Sequence, residues 1–333
     1  MKHYNMSFLL LAIASVWAYL YGGAPALTIV LILCALEISV SFDNAVVNAK
    51  ILGTMEPKWQ QRFITWGIPI AVFGMRLVFP ILIVAIASGL SMYQAANLAL
   101  TDVNQYKHIL ESHEHTIFAF GGSFLLMVFL SFLFDPERDI YWIKHIESNK
   151  VINKLKEIDI ISFVIASVVG IYLTGLTNST SISIAYFSGL VLFAILKSID
   201  NLFETDAGTK SGLAGFIYLE VLDASFSFDG VIGAFAISSD IFIIMVGLGV
   251  GAFFVRSITI HLLKTKALAT FIYLEHGAHY AIGALALIMF IKMFTEMSEV
   301  LVGGIGIAFI VIALVNSIYV NSIDAGDDYE YHD

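Results

Sequence analysis

The 333-residue chain combines 59% hydrophobic side chains with only 13% charged ones, whereas ordinary soluble domains have about 45–50% apolar and about 25% charged residues. This composition, with a mean hydropathy of +0.86, excludes a soluble enzyme or nucleic-acid-binding protein and predicts a polytopic membrane protein. The net charge of −10 says little about partners, because Lys and Arg alone govern membrane topology. A single cysteine, Cys34, excludes an internal disulfide.

Apolar windows predict an all-α fold of about ten membrane-spanning helices. The first is interpreted as a retained helix, because no signal-peptide cleavage site follows it. In chain order, the predicted spans are Met6–Tyr21, Ala26–Leu52, Phe63–Ala87, Thr116–Phe134, Ile160–Leu176, Ile182–Phe203, Leu213–Ile237, Ile241–Leu263, Leu268–Phe294 and Val300–Val320.

The basic residues predict which way the bundle faces. Twelve Lys and Arg residues fall before the first span or after an even-numbered one, and only Lys107 clearly falls on the other side. Because basic loops are retained in the cytoplasm, the sequence predicts a multi-pass protein of the bacterial inner (plasma) membrane with both termini cytoplasmic.

Two polar insertions interrupt the predicted spans. Since no low-complexity linker is present, residues 1–333 are predicted to form a single membrane domain with an acidic tail at 324–333. Residues 89–115 form an outer insertion, and residues 135–159 form a cytoplasmic insertion with an amphipathic helix at the membrane interface. The apolar and basic residues of that helix are Val151, Leu155, Ile158, Lys150 and Lys154.

The two halves of the chain, residues 6–176 and 182–320, contain matching segments, since Ser41–Val46 is similar to Ser227–Ile232. In the span that follows each segment, a glycine precedes an intramembrane arginine by nine residues. The pairs are Gly67 with Arg76 and Gly247 with Arg256. Because the matched spans run in opposite directions, the sequence predicts two inverted-topology repeats, which place a substrate at the repeat interface near the bilayer midplane.

Six acidic residues lie well inside the predicted spans, where each costs about 2.5–3.5 kcal/mol. They are Glu37, Asp43, Glu220, Asp223, Asp229 and Glu275. Arg76 and Arg256 are interpreted as structural counter-ions, because a bound cation gains nothing from an arginine among its ligands. The remaining surplus of acid suits a divalent cation or moving protons.

Helical spacing places most of these groups on two polar stripes. One stripe comprises Glu37, Ser41, Asn44 and Asn48, and the other comprises Glu220, Asp223 and Ser227. Asp43 and Asp229 lie off the stripes on an ideal helix. We therefore expect the backbone to unwind around Ser41–Asn44 and Ser227–Gly230, so that all the oxygens reach one point beside a cavity.

The ninth span adds Glu275 and His279, which are four residues apart and share a helix face. A metal or proton role and a structural hydrogen-bonding role fit this pattern equally well. Mixed carboxylate, carboxamide and imidazole groups suit Mn²⁺ best, while an all-oxygen version suits Ca²⁺ or Mg²⁺. The candidates for metal ligation or proton relay are Ser41, Ser227, Glu275 and His279.

Two sequence signatures, EISVSFDNAVVNA (Glu37–Ala49) and EVLDASFSFDGVIGAFAI (Glu220–Ile237), are each followed by a span with an arginine. They resemble the paired signatures of the TerC family of integral membrane proteins, in its longer branch labelled as a domain of unknown function. The resemblance extends from about Ala26 to Val320 and implies tellurium resistance and manganese export, with the acids of both signatures involved. By position, it implies a metal site of Glu37, Asp43, Asn44, Asp223 and Asp229, with Glu220 as a further acid.

The sequence therefore predicts a secondary transporter, not an enzyme, that exports a divalent cation, first Mn²⁺, in exchange for protons by alternating access. The outer insertion and Gly230, which stands where the first half has Asn44, leave the substrate open. Two alternatives remain: a non-transporting membrane scaffold in metal or tellurite stress, and an intramembrane aspartyl hydrolase built on Asp43 and Asp229. The expected partners are the metal ion, protons and membrane lipids, with no nucleic acid and no cofactor.

Overall fold

The structure, a computed structural model, describes residues 4–202, 212–238 and 240–330. These residues form helices and connecting turns, with no β-strand among them. Six helices in this part are long and apolar enough to cross a membrane, and counting the bent pair Lys150–Lys156 and Ile161–Thr177 as one span raises the number to seven. The prediction of an all-helical fold is therefore confirmed for these residues, and the long apolar helices are consistent with a membrane protein. The ten spans and the inverted repeats stay predictions.

The helices are named in chain order, and a π-helical segment, Ile70–Val78, joins α3 to α4. Their bounds are α1 (Asn5–Val40), α2 (Phe42–Thr54), α3 (Pro57–Pro69), α4 (Phe79–Ser88), α5 (Met92–Thr101), α6 (Val103–Ser112), α7 (Glu114–Leu133), α8 (Lys144–Glu147), α9 (Lys150–Lys156), α10 (Ile161–Thr177), α11 (Thr180–Leu202), α12 (Gly212–Ile237), α13 (Ile241–Thr265), α14 (Ala267–Thr270), α15 (Leu274–Lys292) and α16 (Glu299–Glu330).

α1 consists of two arms joined at Gly22–Gly23, where the backbone is not helical and the second glycine has a φ of +69°. Glycine suits this left-handed conformation because it has no Cβ. In the first arm, Ser7 Oγ lies 2.8 Å from Ser257 Oγ, and the Tyr21 hydroxyl donates to Asp240 Oδ2 over 3.0 Å. The first arm therefore runs antiparallel to α13.

The second arm of α1 runs in the same direction as α13. A Cβ added to Gly247 would lie 2.6 Å from Leu33 Cβ, and one added to Gly251 would lie 2.5 Å from Glu37 Cβ. The two arms consequently pack against α13 in opposite directions. Small residues on α13 permit this close approach, which is typical of helix packing inside membranes.

The helices of the two signatures each contact the other half of the chain. The first-signature helices α1 and α2 pack on α13, the arginine-bearing helix of the second half, and the second-signature helix α12 packs on the arginine-bearing π-helical segment of the first half. In the same way, α15 packs against α2 while α7 packs against α12. These contacts place both signatures between residues 6–176 and residues 182–320, while the inverted repeat itself stays a prediction.

The expected unwinding of the signature helices is wrong for the second signature, because α12 runs without interruption from Gly212 to Ile237. At the first signature, only Ser41 leaves the helix, and the bonds Ser41 N–H to Glu37 O (3.0 Å) and Ala45 N–H to Ser41 O (3.2 Å) continue the helical ladder. The polar side chains reach each other across helices, so no freed carbonyl is needed. The wide helical turn lies instead in the π-helical segment Ile70–Val78 around Arg76, and such turns are frequent at functional sites.

Two short helices, α5 and α6, lie in the outer insertion, and α6 packs against α12. Ser91 caps α5 by accepting the N–H of Gln94. Lys107 Nζ donates to Phe235 O over 3.0 Å near the carboxyl end of α12, where unpaired carbonyls favour a cation. The insertion is thus attached to the helix that carries the second signature.

Replacing Gly251 by alanine is expected to lower the free energy of unfolding by about 1–3 kcal/mol, because the added Cβ would lie 2.5 Å from Glu37 Cβ. Titration with SDS in mixed micelles, followed by circular dichroism, measures this free energy. Gly304→Ala is the matched control, since its added Cβ meets no described atom within 4 Å. Equal losses of stability in both variants would contradict the importance of the α1–α13 contact.

Candidate intramembrane cation site

The two signatures meet at Asp223 of α12. Asn44 and Asn48 lie one turn apart on α2, and their Nδ2 atoms donate to Asp223 Oδ1 over 2.7 and 2.8 Å. All three side chains are buried, and the two carboxamide oxygens have no hydrogen-bond partner among the described residues. One carboxylate beside two unpaired carboxamide oxygens is a donor set that hard cations prefer.

A cavity of about 20 Å³ lies against this carboxylate, which is room for about one water-sized particle. Its wall is formed by α2, α12, α13 and the π-helical segment, so both halves of the chain contribute. The lining residues are Ser41, Asn44, Asn48, Arg76, Asp223, Ala252, Val255, Arg256 and Thr259. The first-half and second-half polar groups therefore face one shared space.

Glu37 forms a buried ion pair with Arg76, in which Arg76 Nη2 donates to Glu37 Oε1. Ser41 Oγ donates to the same oxygen over 2.9 Å. A Cβ added to Gly230 would lie 3.3 Å from Glu37 Oε2, so the first-half carboxylate lies against the second signature. This pairing supports the interpretation of Arg76 as a counter-ion.

Among the described residues, Arg256 is held by a carbonyl and an aromatic ring rather than by a close ion pair. Its Nη2 donates to Phe63 O over 2.6 Å, and its guanidinium lies 3.6 Å from the centroid of the Phe63 ring. No carboxylate oxygen of the residues that the structure describes lies within 4 Å of it. Gly67 makes room for this arrangement, because a Cβ there would lie 1.4 Å from Arg256 Nη2.

Glu220 adds a second buried carboxylate near Asp223. Neither of its oxygens has a hydrogen-bond partner in the described chain, although it interacts electrostatically with Asp223 and Arg256. Among the side chains that the structure describes, the buried charges around this cavity are the carboxylates of Glu37, Glu220 and Asp223 and the guanidiniums of Arg76 and Arg256. When these five groups are ionised, one negative charge among them is uncompensated, which favours an added cation or proton.

Asp43 lies apart from this cavity. It is buried, its Oδ1 accepts the N–H of Asn44 over 2.9 Å, and it lines a second cavity of about 10 Å³ between α2, α15 and α16. The expectation that Asp43 shares one point with the acids of the second signature is wrong for Asp223. The reason is that α2 is regular here, so residues 43 and 44 point about 100° apart.

Glu275 and His279 also lie away from the cavity. Glu275 Oε2 lies 2.8 Å from Lys50 Nζ in a pair whose side chains are 27% and 47% exposed, respectively. His279 Nδ1 lies 2.9 Å from the backbone oxygen of Glu275, and its ring stacks on Phe132 with 4.0 Å between centroids. The contacts of Glu275 and His279 therefore support a structural hydrogen-bonding role rather than a metal or proton role.

Two predicted site residues, Ser227 and Asp229, belong to α12, but their side chains lie outside the described residues. Among the side chains that are described, no group of three or more His, Cys, Asp and Glu could hold a metal ion. In the described part of the chain, the site consists of Asp223, the carboxamides of Asn44 and Asn48 and the neighbouring buried charges.

Two residues that shape the site, Asn48 and Gly67, were not among the predicted metal ligands. Asn48 belongs to the predicted stripe, and its i, i+4 spacing from Asn44 is the signal that identifies it. Gly67 is matched with Arg76 in the sequence, yet in the structure it makes room for Arg256 of the other half. A repeat in one sequence cannot show which of two equivalent arginines approaches a glycine.

Comparison with known proteins gives a family but no closer relative. No curated protein and no solved structure matches the chain. The model of the family described as "Protein of unknown function (DUF475)" matches residues 42–324, which include all of α2 and α12. The protein therefore belongs to the DUF475 family.

Proposed function

We propose that the protein is a secondary transporter of the bacterial inner membrane that exports a divalent metal cation, with Mn²⁺ as the first candidate. The observation that carries this proposal is the arrangement at Asp223, whose carboxylate is held by two carboxamides from the other signature. The resemblance of both signatures to those of the TerC family supports the same function.

The donor set suits a hard or intermediate divalent cation. Asp223 supplies a carboxylate, and Asn44 and Asn48 each have a buried oxygen without a partner among the described residues. Oxygen ligands of this kind suit Mn²⁺, Mg²⁺ and Ca²⁺ rather than thiolate-seeking ions. Glu220, buried one helical turn before Asp223 on α12, supplies further negative charge that a passing cation would offset.

Protons are the proposed coupling ion. A carboxylate must be deprotonated to bind a metal, so proton entry from outside would displace the cation and favour its release there. The reciprocal packing of the two halves provides a structural basis for alternating access, because each signature helix contacts the arginine-bearing segment of the other half.

Flux into liposomes that contain only the purified protein tests the proposal. The expected result is Mn²⁺ movement down its gradient, accompanied by opposite proton movement and exceeding that of Mg²⁺, Ca²⁺, Zn²⁺ and Fe²⁺. A non-transporting scaffold predicts no flux of any ion, and a hydrolase predicts peptide cleavage without flux. Either result would overturn the transport proposal.

Replacing Asn44 or Asn48 by alanine is expected to weaken the apparent affinity for Mn²⁺ about 10- to 100-fold, the factor expected for losing one hydrogen bond to a charged group. Each variant removes one of the N–H donors that hold Asp223. The concentration dependence of liposome flux measures the effect. Asn97→Ala, at an exposed position of α5, is the matched control, and an equal change in this control would remove the two carboxamides from the site.

A further inference from the structure

The cytoplasmic insertion, residues 135–159, carries a helix that lies close to the predicted membrane plane. α9 meets α10 at an angle of 104°, and α10 is an apolar helix predicted to cross the bilayer. α9 ends at Lys156 and α10 begins at Ile161. This short connection places α9 at the level where the span enters the lipid headgroups.

α9 has one face toward the protein and one face away from it. Ile152 and Leu155 pack against the core, and Lys156 is buried, with its Nζ 4.8 Å from the centroid of the Tyr141 ring. The sequence predicts that Leu155 faces the lipid, whereas in the structure it packs against the protein core. The opposite face exposes Lys150, Val151 and Lys154.

The exposed face of α9 itself carries lysines. Residues 144–156 contain four lysines and one acidic residue, Glu147, which is completely buried. Two exposed acids, Glu157 and Asp159, follow directly after α9. Lys144, Lys150 and Lys154 are exposed, and in residues 4–202, 212–238 and 240–330 no carboxylate oxygen lies within 4 Å of any of them. These three lysines, here called the basic face, have no acidic partner in the described protein.

Contacts of Glu147 fix the insertion to the rest of the bundle. Glu147 Oε2 accepts the backbone N–H of Trp142 over 3.0 Å, and it lies 3.5 Å from Arg138 Nη2 and 3.6 Å from His276 Nε2. Since His276 belongs to α15, the basic face is held in a fixed position relative to the helix that packs on α2.

We propose that the basic face binds the phosphate headgroups of anionic phospholipids in the cytoplasmic leaflet. A zwitterionic lipid has its own cationic group beside the phosphate, whereas an anionic lipid leaves a net charge that lysines can neutralise. Val151 and Ile158, which are 62% and 45% exposed, supply apolar side chains of the kind that enter the region below the headgroups. The surface thus combines the charge and the apolar contacts that an anionic leaflet requires.

Titration of the full-length, detergent-solubilised protein with phosphatidylglycerol or phosphatidylcholine, with bound lipid counted by native mass spectrometry, tests this proposal. The wild-type protein is expected to prefer phosphatidylglycerol. Lys150→Gln together with Lys154→Gln is expected to reduce that preference roughly fivefold for each lysine neutralised. The readout is lipid binding alone, so it is independent of whether the protein transports a metal.

The matched control is Lys58→Gln together with Lys264→Gln, which neutralises two exposed lysines on the same predicted side of the membrane. This control is expected to keep the preference of the wild-type protein. Three results would each overturn the proposal: equal binding of the two lipids by the wild-type protein, an unchanged preference in the α9 variant, or an equal loss in the control. All four changes are at exposed positions, so each variant is expected to fold, which circular dichroism verifies.

Discussion

Replacing Asp223 by asparagine is expected to reduce Mn²⁺ flux into liposomes by about 100-fold or more. Loss of a residue that only hydrogen-bonds a metal ligand costs about 10- to 100-fold in metal affinity or activity, and loss of the ligand itself is expected to cost at least as much. The variant removes the one negative charge that Asn44 and Asn48 hold, while Glu37 and Glu220 keep theirs. Its carboxamide oxygen is still able to accept from Asn44 and Asn48, which hold the native carboxylate over 2.7 and 2.8 Å. Folding is therefore expected to persist while cation binding is lost.

The matched control for this change is Asp102→Asn, which makes the same substitution at the amino end of α6. Asp102 accepts the N–H of Gln105 as a helix cap, and asparagine caps a helix about as well as aspartate. The control is expected to transport Mn²⁺ at the wild-type rate. Undiminished transport by Asp223→Asn, measured at the same protein density, would remove Asp223 from the mechanism.

Replacing Arg76 by methionine is expected to lower the free energy of unfolding by about 3–5 kcal/mol, because it leaves a buried carboxylate without its ion-pair partner. Glu37, the carboxylate concerned, is only 2% exposed. The double variant Glu37→Gln with Arg76→Met removes both charges and is expected to recover most of this loss. SDS titration of the single and double variants measures the coupling free energy.

The pair formed by Lys50 and Glu275 provides the comparison, since it is half exposed and pairs of that kind contribute about 0–1 kcal/mol. Lys50→Met is accordingly expected to change stability little. A loss below 1 kcal/mol for Arg76→Met, or a double variant less stable than either single one, would show that the buried pair does not stabilise the bundle as argued.

Helical periodicity was sufficient to predict most of the first-half contribution to the site. Glu37, Ser41, Asn44 and Asn48 share one stripe in the sequence, and the structure places the last two against Asp223. The side on which Asp43 lies could not be predicted, because it depends on whether the helix unwinds. That choice is decided by side-chain contacts between helices, which periodicity within one helix does not contain.

The hydropathy pattern also could not predict how deeply Glu275 is buried. The apolar window starts at Leu268 and predicts a deep carboxylate, but α14 ends at Thr270 and α15 begins at Leu274. Glu275 therefore lies in the first turn of α15, where it reaches Lys50. Hydropathy does not show such an interruption, because the residues that form it, such as Phe271, are as apolar as those of the helix.

The position of a bound metal ion tests the central claim most directly. Diffraction data from crystals of the wild-type protein soaked in Mn²⁺, recorded at the manganese absorption edge, locate the ion by its anomalous signal. The account predicts a peak in the cavity between Asn44, Asn48 and Asp223, within coordination distance of the Asp223 carboxylate. A peak beside Asp43 or Glu275, with none in this cavity, would contradict it.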